Sequence, residues 1–420
     1  MRKALGCVCW MMVVGCDGSV TGGTDPGLTP SPDARTTSPD GQVSRPDAGA
    51  ADATLDTSTL PDAVIPSGMV PVTVASGRGG RTAISCDDGQ TWIEDRIETG
   101  PMVRCWGHPN GAEPECLDPT WTRDSGVDCP DPNPNWLECD HQTNTITGLI
   151  YHDGWFIRSA GWGTPGRTQR SQDGVTWGAP VPDFERTYLG LIPLQDAVVA
   201  MGTPAPYISM DGGQTWAETE ARLGWEAGHV RRATSSDFGP MGSIVFITDR
   251  GIWWSADRGV TFNGPASEPC DGNFASGGDV TVLSDRGGAM CTTRDGGQTW
   301  DRQGIADEIL TNPVWNGTAF HVWGMAGGEF SHFASPDGVR WERTGAGERV
   351  NVRVVGATLS GTLIGINGVW NGGYEAQTFY RSDDGHQWRA LTAGTDFVQG
   401  HPIARFVSGV VPANEYCTGQ

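Results

Sequence analysis

A short pattern that returns seven times constrains this chain more than any other feature. In full form it reads Ser/Thr-x-Asp-x-Gly-x-Thr-Trp, as SCDDGQTW from Ser85, SMDGGQTW from Ser209 and TRDGGQTW from Thr293, with SADRGVTF from Ser255 closing on Phe. A form one residue shorter appears as SQDGVTW from Ser171, SPDGVRW from Ser335 and SDDGHQW from Ser382. The chemistry is that of a hairpin corner. The Asp carboxylate can accept bonds from amides just downstream, and the Gly takes a positive φ that other residues resist. The Thr and Trp open the next strand, and the Trp supplies a large apolar ring to plug neighbouring sheets. Asp87, Asp173, Asp211, Asp257, Asp295, Asp337 and Asp384 are therefore read as structural, not catalytic. From Ser171 to Ser382 the period is ~42 residues, the size of one four-stranded propeller blade.

Composition agrees. The 61 Gly and 18 Trp in 420 residues punctuate short strands and do not suit a coiled coil. A net charge of −22 argues against nucleic acid or anionic lipid as partner. One residue, Lys3, is the sole lysine among 28 basic residues. Arginine suits carboxylates, but that bias alone selects no ligand.

Residues 1–16 combine Arg2 and Lys3 with an apolar run from Ala4 to Gly15, too short for a bilayer span and fitting a secretory signal. The end, Val13-Val14-Gly15-Cys16, resembles a bacterial lipobox, which implies cleavage before Cys16 and its lipidation. An ordinary signal peptide is the alternative. Residues 17–67 carry eight Asp against Arg35 and Arg45, a net of −6. With almost no large apolar side chains, this stretch is expected to be a disordered, self-repelling tether. An exported chain of monomeric lipoprotein type, held at the cell envelope or cell surface only by its anchor, is the expectation. Eight cysteines then remain: Cys86, Cys105, Cys116, Cys129, Cys139, Cys270, Cys291 and Cys417. An even count in an exported chain points to disulfides. Cys-x-x-Cys pairs are missing, so no metal is expected, and no cofactor motif is visible.

The seven turns closely resemble the Asp-box, or BNR, repeats of sialidase-like β-propellers, over about residues 68–417. The resemblance implies an all-β, seven-bladed β-propeller spanning 68–420. Blade 1 shows no first strand ahead of PVTVASG, while IARFVSGVV from Ile403 is left over after blade 7. The C-terminal strand is thus expected to close blade 1 and abolish a free sheet edge. In such propellers this places the tail beside the blade 1 turn, giving Cys86–Cys417, with Cys86–Cys105 as the alternative. Cys270–Cys291 is the second expected pair. Cys105, Cys116, Cys129 and Cys139 have three connectivities open among themselves. The interval from Ser85 to Ser171 is 86 residues, twice the period. A disulfide-rich insertion at 98–142, between blades 1 and 2, is preferred to an eighth blade with a degenerate turn at Thr122.

The resemblance also implies a ligand face opposite the turns, made by loops between blades and between second and third strands. Loops on a rigid scaffold commonly carry function. They bring Arg78, Arg81, Trp162, Arg167, Trp370, Tyr374 and Glu375 to that face, and the insertion adds Trp106, His108, Trp121, Trp136 and His141. Aromatic faces suit sugar rings and arginine suits carboxylates. The leading expectation is recognition of an extracellular glycan or polysaccharide, or of an envelope protein. A sialidase-like glycoside hydrolase or polysaccharide lyase is the alternative, with Glu185, Glu226, Asp307, Glu308, Tyr374 and Glu375 as candidate catalytic groups. The Arg-Ile-Pro motif that opens such enzymes is missing. An envelope assembly scaffold is the third reading. The lone histidines form no motif.

Overall fold

Each repeated turn joins the last two strands of a small antiparallel sheet. There are seven such sheets, and no α-helix, among the described residues. The structure, a computed structural model, describes residues 65–77, 80–96, 146–160, 166–181, 190–201, 205–219, 230–239, 241–248, 250–267, 269–346, 352–367, 378–391 and 403–418. The sheets form a seven-bladed β-propeller.

Blade 1 is ordered Ile403–Pro412, Met69–Gly77, Thr82–Ser85, Ile93–Arg96. Blade 2 is Ile146–His152, Trp155–Ala160 and Arg167–Ser171. Blade 3 is Gly190–Pro193, Val198–Met201, Tyr207–Ser209 and Ala217–Glu218. Blade 4 is Val230–Ser236, Ser243–Thr248, Gly251–Ser255 and Asn263–Ala266. Blade 5 is Phe274–Gly277, Val280–Asp285, Ala289–Thr293 and Asp301–Gly304. Blade 6 splits its first strand into Glu308–Ile309 and Val314–Trp315, followed by Phe320–Ala326, Glu329–Ser335 and Glu342–Ala346. Blade 7 is Val352–Ala357, Leu363–Asn367, Phe379–Ser382 and Arg389–Leu391. Second strands are the core: every residue of Ser243–Thr248 is buried. Fourth strands form the rim, and every residue of Asp301–Gly304 is exposed. Among the described residues the fourth strand of blade 2 shows as a single bridge between Thr168 and Val181, next to Pro180, which has no N–H to donate.

The turns are built as their sequence dictates. In the long form at Asp211, the Ser209 hydroxyl donates to Oδ1 at 2.8 Å, Thr215 N–H donates to Oδ1 at 2.8 Å and the Thr215 hydroxyl donates to Oδ2 at 2.6 Å. In the short form at Asp173 the amides of Val175 and Thr176 take those places. Burial opposes ionisation of each of the seven carboxyls. The turn's donors outweigh it and hold them below the usual carboxylate range.

The turn glycines also fit blade to blade. Gly174 has φ +79°, and a Cβ there would lie 2.6 Å from Val74 of the preceding blade. The same approach recurs for Gly89 on Ile364, Gly213 on Ile157, Gly297 on Val245, Gly338 on Val280 and Gly385 on His332. Between blades the second strands and turns enclose aliphatic clusters, such as Ile150, Ile157, Leu191, Val198 and Ala200 between blades 2 and 3.

The ring closes between blades 7 and 1 by four devices. Ile403–Pro412 pairs along the whole of Met69–Gly77, with Val74 opposite Val407. Trp92 stacks on Phe379 of blade 7 with ring centroids 4.3 Å apart. Asp88 (φ +62°) accepts from Thr358, Ser360 and Thr362, and forms an ion pair with Arg381 at 3.0 Å, all four in blade 7. Cys86 is joined to Cys417 across 331 residues. Cys270–Cys291 is also present. Cys105, Cys116, Cys129, Cys139 and the insertion at 98–142 lie outside the described residues, as do Cys16 and the segments 1–16 and 17–64.

Two outcomes follow for stability. Gly174→Ala combines a strained φ with a clash on Val74 and is expected to cost ~2–4 kcal/mol in urea unfolding. Gly154→Ala has a similar φ (+79°) but nothing within 4 Å, and is expected to cost only ~1 kcal/mol. Replacing both Cys86 and Cys417 with Ala is expected to cost ~3–5 kcal/mol, read as a lowered urea midpoint relative to the oxidised parent.

Candidate functional site

Strand direction alternates within each blade, so the seven turns and the loops joining first to second strands share one face. The loops between second and third strands and between blades share the other. The turn face is occupied by its own architecture, since the carboxylates it presents are spent on their own turns.

On the opposite face the structure places a group of arginines at blades 1 and 2. Arg81, at the start of its strand, is fully buried and donates through Nε and Nη2 to both carboxylate oxygens of Asp95, at 2.8 and 2.7 Å. It also lies 5.8 Å from the centre of the Phe379 ring of blade 7. Arg158, also buried, donates to Gln169 Oε1 at 2.6 Å, to Thr82 Oγ1 at 3.0 Å and stacks 4.1 Å over Trp177. It therefore ties blade 2 to blade 1. Arg167 begins the next strand opposite Ala160 and is 5% exposed. Sequence reading expected Arg81 and Arg167 as surface ligand contacts, with a solvated ion pair as the alternative. The structure puts both beneath the surface, because the carboxylate that carries Arg81 is on the neighbouring strand 14 residues on.

Two further arginines stand where the first strands begin around the axis. Arg405, on the closing strand that is the innermost strand of blade 1, is exposed. Its Nη2 reaches the Thr147 carbonyl of blade 2 at 3.5 Å. Enclosure lowers its proton affinity, but a guanidinium remains charged. Arg232 of blade 4 donates to Asn273 Oδ1 at 2.7 Å and to the Asp271 carbonyl at 3.1 Å, and Asn273 donates in turn to Asn312 Oδ1 at 2.5 Å. Neither arginine was singled out by motif or spacing. Each sits in an ordinary strand, and only ring closure brings the strand starts together.

Of the candidate acids, Asp307 accepts from Gly327 N–H at 2.6 Å in the connection between blades 5 and 6, and Glu308 is exposed beside it. Arg78, Trp106, His108, Trp121, Trp136, His141, Trp162, Glu185, Glu226, Trp370, Tyr374 and Glu375 lie outside the described residues. Two open clefts occur on the turn side. One of about 460 Å³ is lined by Gln195, Ser235, Asp237 and Ser276 across blades 3 to 5. One of about 640 Å³ lies beside Trp155, Arg170 and Gln214.

No protein-family model and no curated protein matches the chain. Solved structures of similar fold include YCF48 bound to D1 peptide, at 17% identity over 59% of this chain and 82% of that one, with a TM-score of 0.43. YCF48 from Cyanidioschyzon merolae matches at 14% identity over 62% and 87%, with a TM-score of 0.39. A GH74 xyloglucanase from Xanthomonas campestris matches at 16% identity over 76% of this chain and 43% of that one, with a TM-score of 0.37. What the molecule defines by its own strand pairing is a seven-bladed β-propeller with an arginine-bearing axial face.

The buried ion pair gives a direct test of that face's foundation. Asp95→Asn leaves the Arg81 guanidinium without its carboxylate in a dry site, and is expected to cost ~3–5 kcal/mol in urea unfolding.

Proposed function

We propose that the chain is an exported lipoprotein, anchored through Cys16 and lifted by the 17–67 tether. Its Asp-box propeller recognises an acidic glycan or another acidic envelope ligand through the face opposite the boxes. The observation that carries this reading is the pair Arg405 and Arg232 at the axial end of that face, in a chain of net charge −22. Cations kept at the axis of an acidic molecule suit an anionic group, and guanidinium offers it paired donors. The buried Arg81, Arg158 and Arg167 hold the ends of the strands of blades 1 and 2 on that face rigid.

The test is a glycan array spanning uronate, sialate, sulfated and neutral sugars, probed with the secreted chain and paired with a turnover assay on each hit. Retention of acidic sugars without release of product is expected. Arg405→Gln is expected to weaken retention ~10–100-fold, the scale of one charged hydrogen bond, and wild-type binding should fall with salt. Equal retention of neutral sugars would remove the acidic ligand. Product release would replace the binding reading with a sialidase-like hydrolase or lyase. Silence across the array with capture of envelope protein would favour an assembly scaffold.

A further inference from the structure

The seams between blades are not all alike. Six of them enclose apolar clusters among the described residues: between blades 1 and 2, 2 and 3, 3 and 4, 4 and 5, 5 and 6, and 7 and 1. The seam between blades 6 and 7 is made of tryptophan and histidine. Trp323 of blade 6 is buried and donates its indole N–H to the Gly385 carbonyl of the blade 7 turn at 2.7 Å. Its ring stacks on His332 at 4.9 Å and meets Trp388 of blade 7 at 5.4 Å. His332 and His321 lie parallel, 4° apart in plane, with centroids 5.1 Å apart. His386 of blade 7 meets His332 edge-on at 4.9 Å.

The polar atoms of this stack form a short chain. His321 Nδ1 and His332 Nε2 are 2.9 Å apart, and His332 Nδ1 is 2.7 Å from the Thr344 hydroxyl. The chain needs exactly one proton between the two rings. With both imidazoles protonated, two N–H donors would face each other across that gap, and two positive charges would share a buried site. His321 Nε2 is buried and makes no hydrogen bond, so a charge there would have nothing to receive it. The nearby charges offer little relief. Asp384 favours protonation of His332, but its carboxylate already accepts from the amides of His386 and Gln387. Asp383 is held by Arg381, Glu329 by Arg343, and Glu342 is exposed on the rim strand. From the first-strand side, Val314 and Trp315 bring no charge.

We propose that the blade 6–7 seam is an acid-operated joint: the neutral His321–His332 pair of blade 6 lets His332 pack against His386 and Gly385 of blade 7, and protonation of that pair parts the two blades while the rest of the ring stays closed. The Asp88 network and the Trp92–Phe379 stack hold blade 7 to blade 1, and with the long pairing of the closing strand they confine the change to this seam. A joint beside the axial face would link ligand retention to external pH, a consequence that rests on the binding reading above; the joint itself does not.

The sign is fixed by linkage. Burial lowers His321 to about 4 and His332 to about 3, with the neighbouring imidazoles adding to the effect. The unfolded chain protonates these groups near 6.5. Between pH 6.5 and about 4 the unfolded or opened state binds more protons, so the seam loses stability as pH falls through that window. The turn carboxylates act separately. Their lowered values are lost as stabilisers only below the unfolded carboxylate pKa, near 3.9.

Hydrogen exchange of the full chain, corrected for intrinsic rates, tests the joint between pH 7 and 4.5. Exchange in Phe320–Ser335 and Phe379–Leu391 is expected to rise at least about tenfold, the effect of one proton bound preferentially over one pH unit, while Met69–Ser85 and Ile403–Pro412 stay protected. The double variant His321→Phe, His332→Phe is expected to abolish that rise and keep only the loss of stability below pH 4. Should the variant not fold, the imidazole Cε1 protons of the wild type decide by NMR: two of the eight histidines must remain neutral below pH 5. Uniform exchange across all blades, an unchanged response in the double variant, or eight histidines titrating near 6.5 would each overturn the proposal.

Discussion

The pairing of Ile403–Pro412 with Met69–Gly77 is the interaction on which the rest depends. It joins the two ends of the stretch from Met69 to Pro412 and turns seven separate meanders into a ring. Every other seam joins blades that are neighbours in sequence. This one does not, and it combines a carboxylate network at Asp88, an aromatic stack at Trp92 and a disulfide. A ring has no sheet edge left at its closure, which removes the aggregation hazard of an open meander. It also gives every first strand a neighbour on each side, and so creates the axis at which Arg405 and Arg232 stand.

The architecture was legible because its signal is local. Ser85, Asp87, Gly89 and Thr91 hold one another within a single turn, so their spacing alone reveals the corner and its sevenfold return gives the blades. The leftover strand at Ile403 was legible for the same reason, by counting strands against turns. The candidate site was much less so. Arg81 reads as a loop cation in GRGGR, yet its burial depends on Asp95 and Phe379, which spacing does not bring to it. Arg405 lies in a strand whose alternation says nothing about an axis. Asp88 occupies a variable position of the repeat and looks interchangeable, although four partners from blade 7 converge on it. His321 and His332 form no motif in sequence; strand pairing places them on adjacent strands with the rings stacked.

The glycines show how one residue type serves two demands. Gly174 and Gly385 hold a backbone conformation the turn requires, and their missing side chains also let the turn press against the preceding sheet. Around the axis the first strands use the same economy without the unusual backbone. Gly409 leaves room for Tyr151, whose hydroxyl donates to the Val410 carbonyl, and Gly356 leaves room for Phe406. A bulky residue from one blade fills the space left by a glycine in the next, which fixes the angular step from blade to blade by steric fit.

The closing strand is made after every other described strand. Blade 1 begins at Met69, but the strand that completes its sheet begins only at Ile403, after all the other blades. Until those residues emerge, the first blade has an open edge and no axis exists. Native contacts of such long sequence separation form late and slowly. The earliest blade to appear is therefore the last to be finished. A chain cut between Leu391 and Ile403 would retain six sheets and still lack a ring, so the integrity of the axial face is read out by the arrival of Ile403–Pro412.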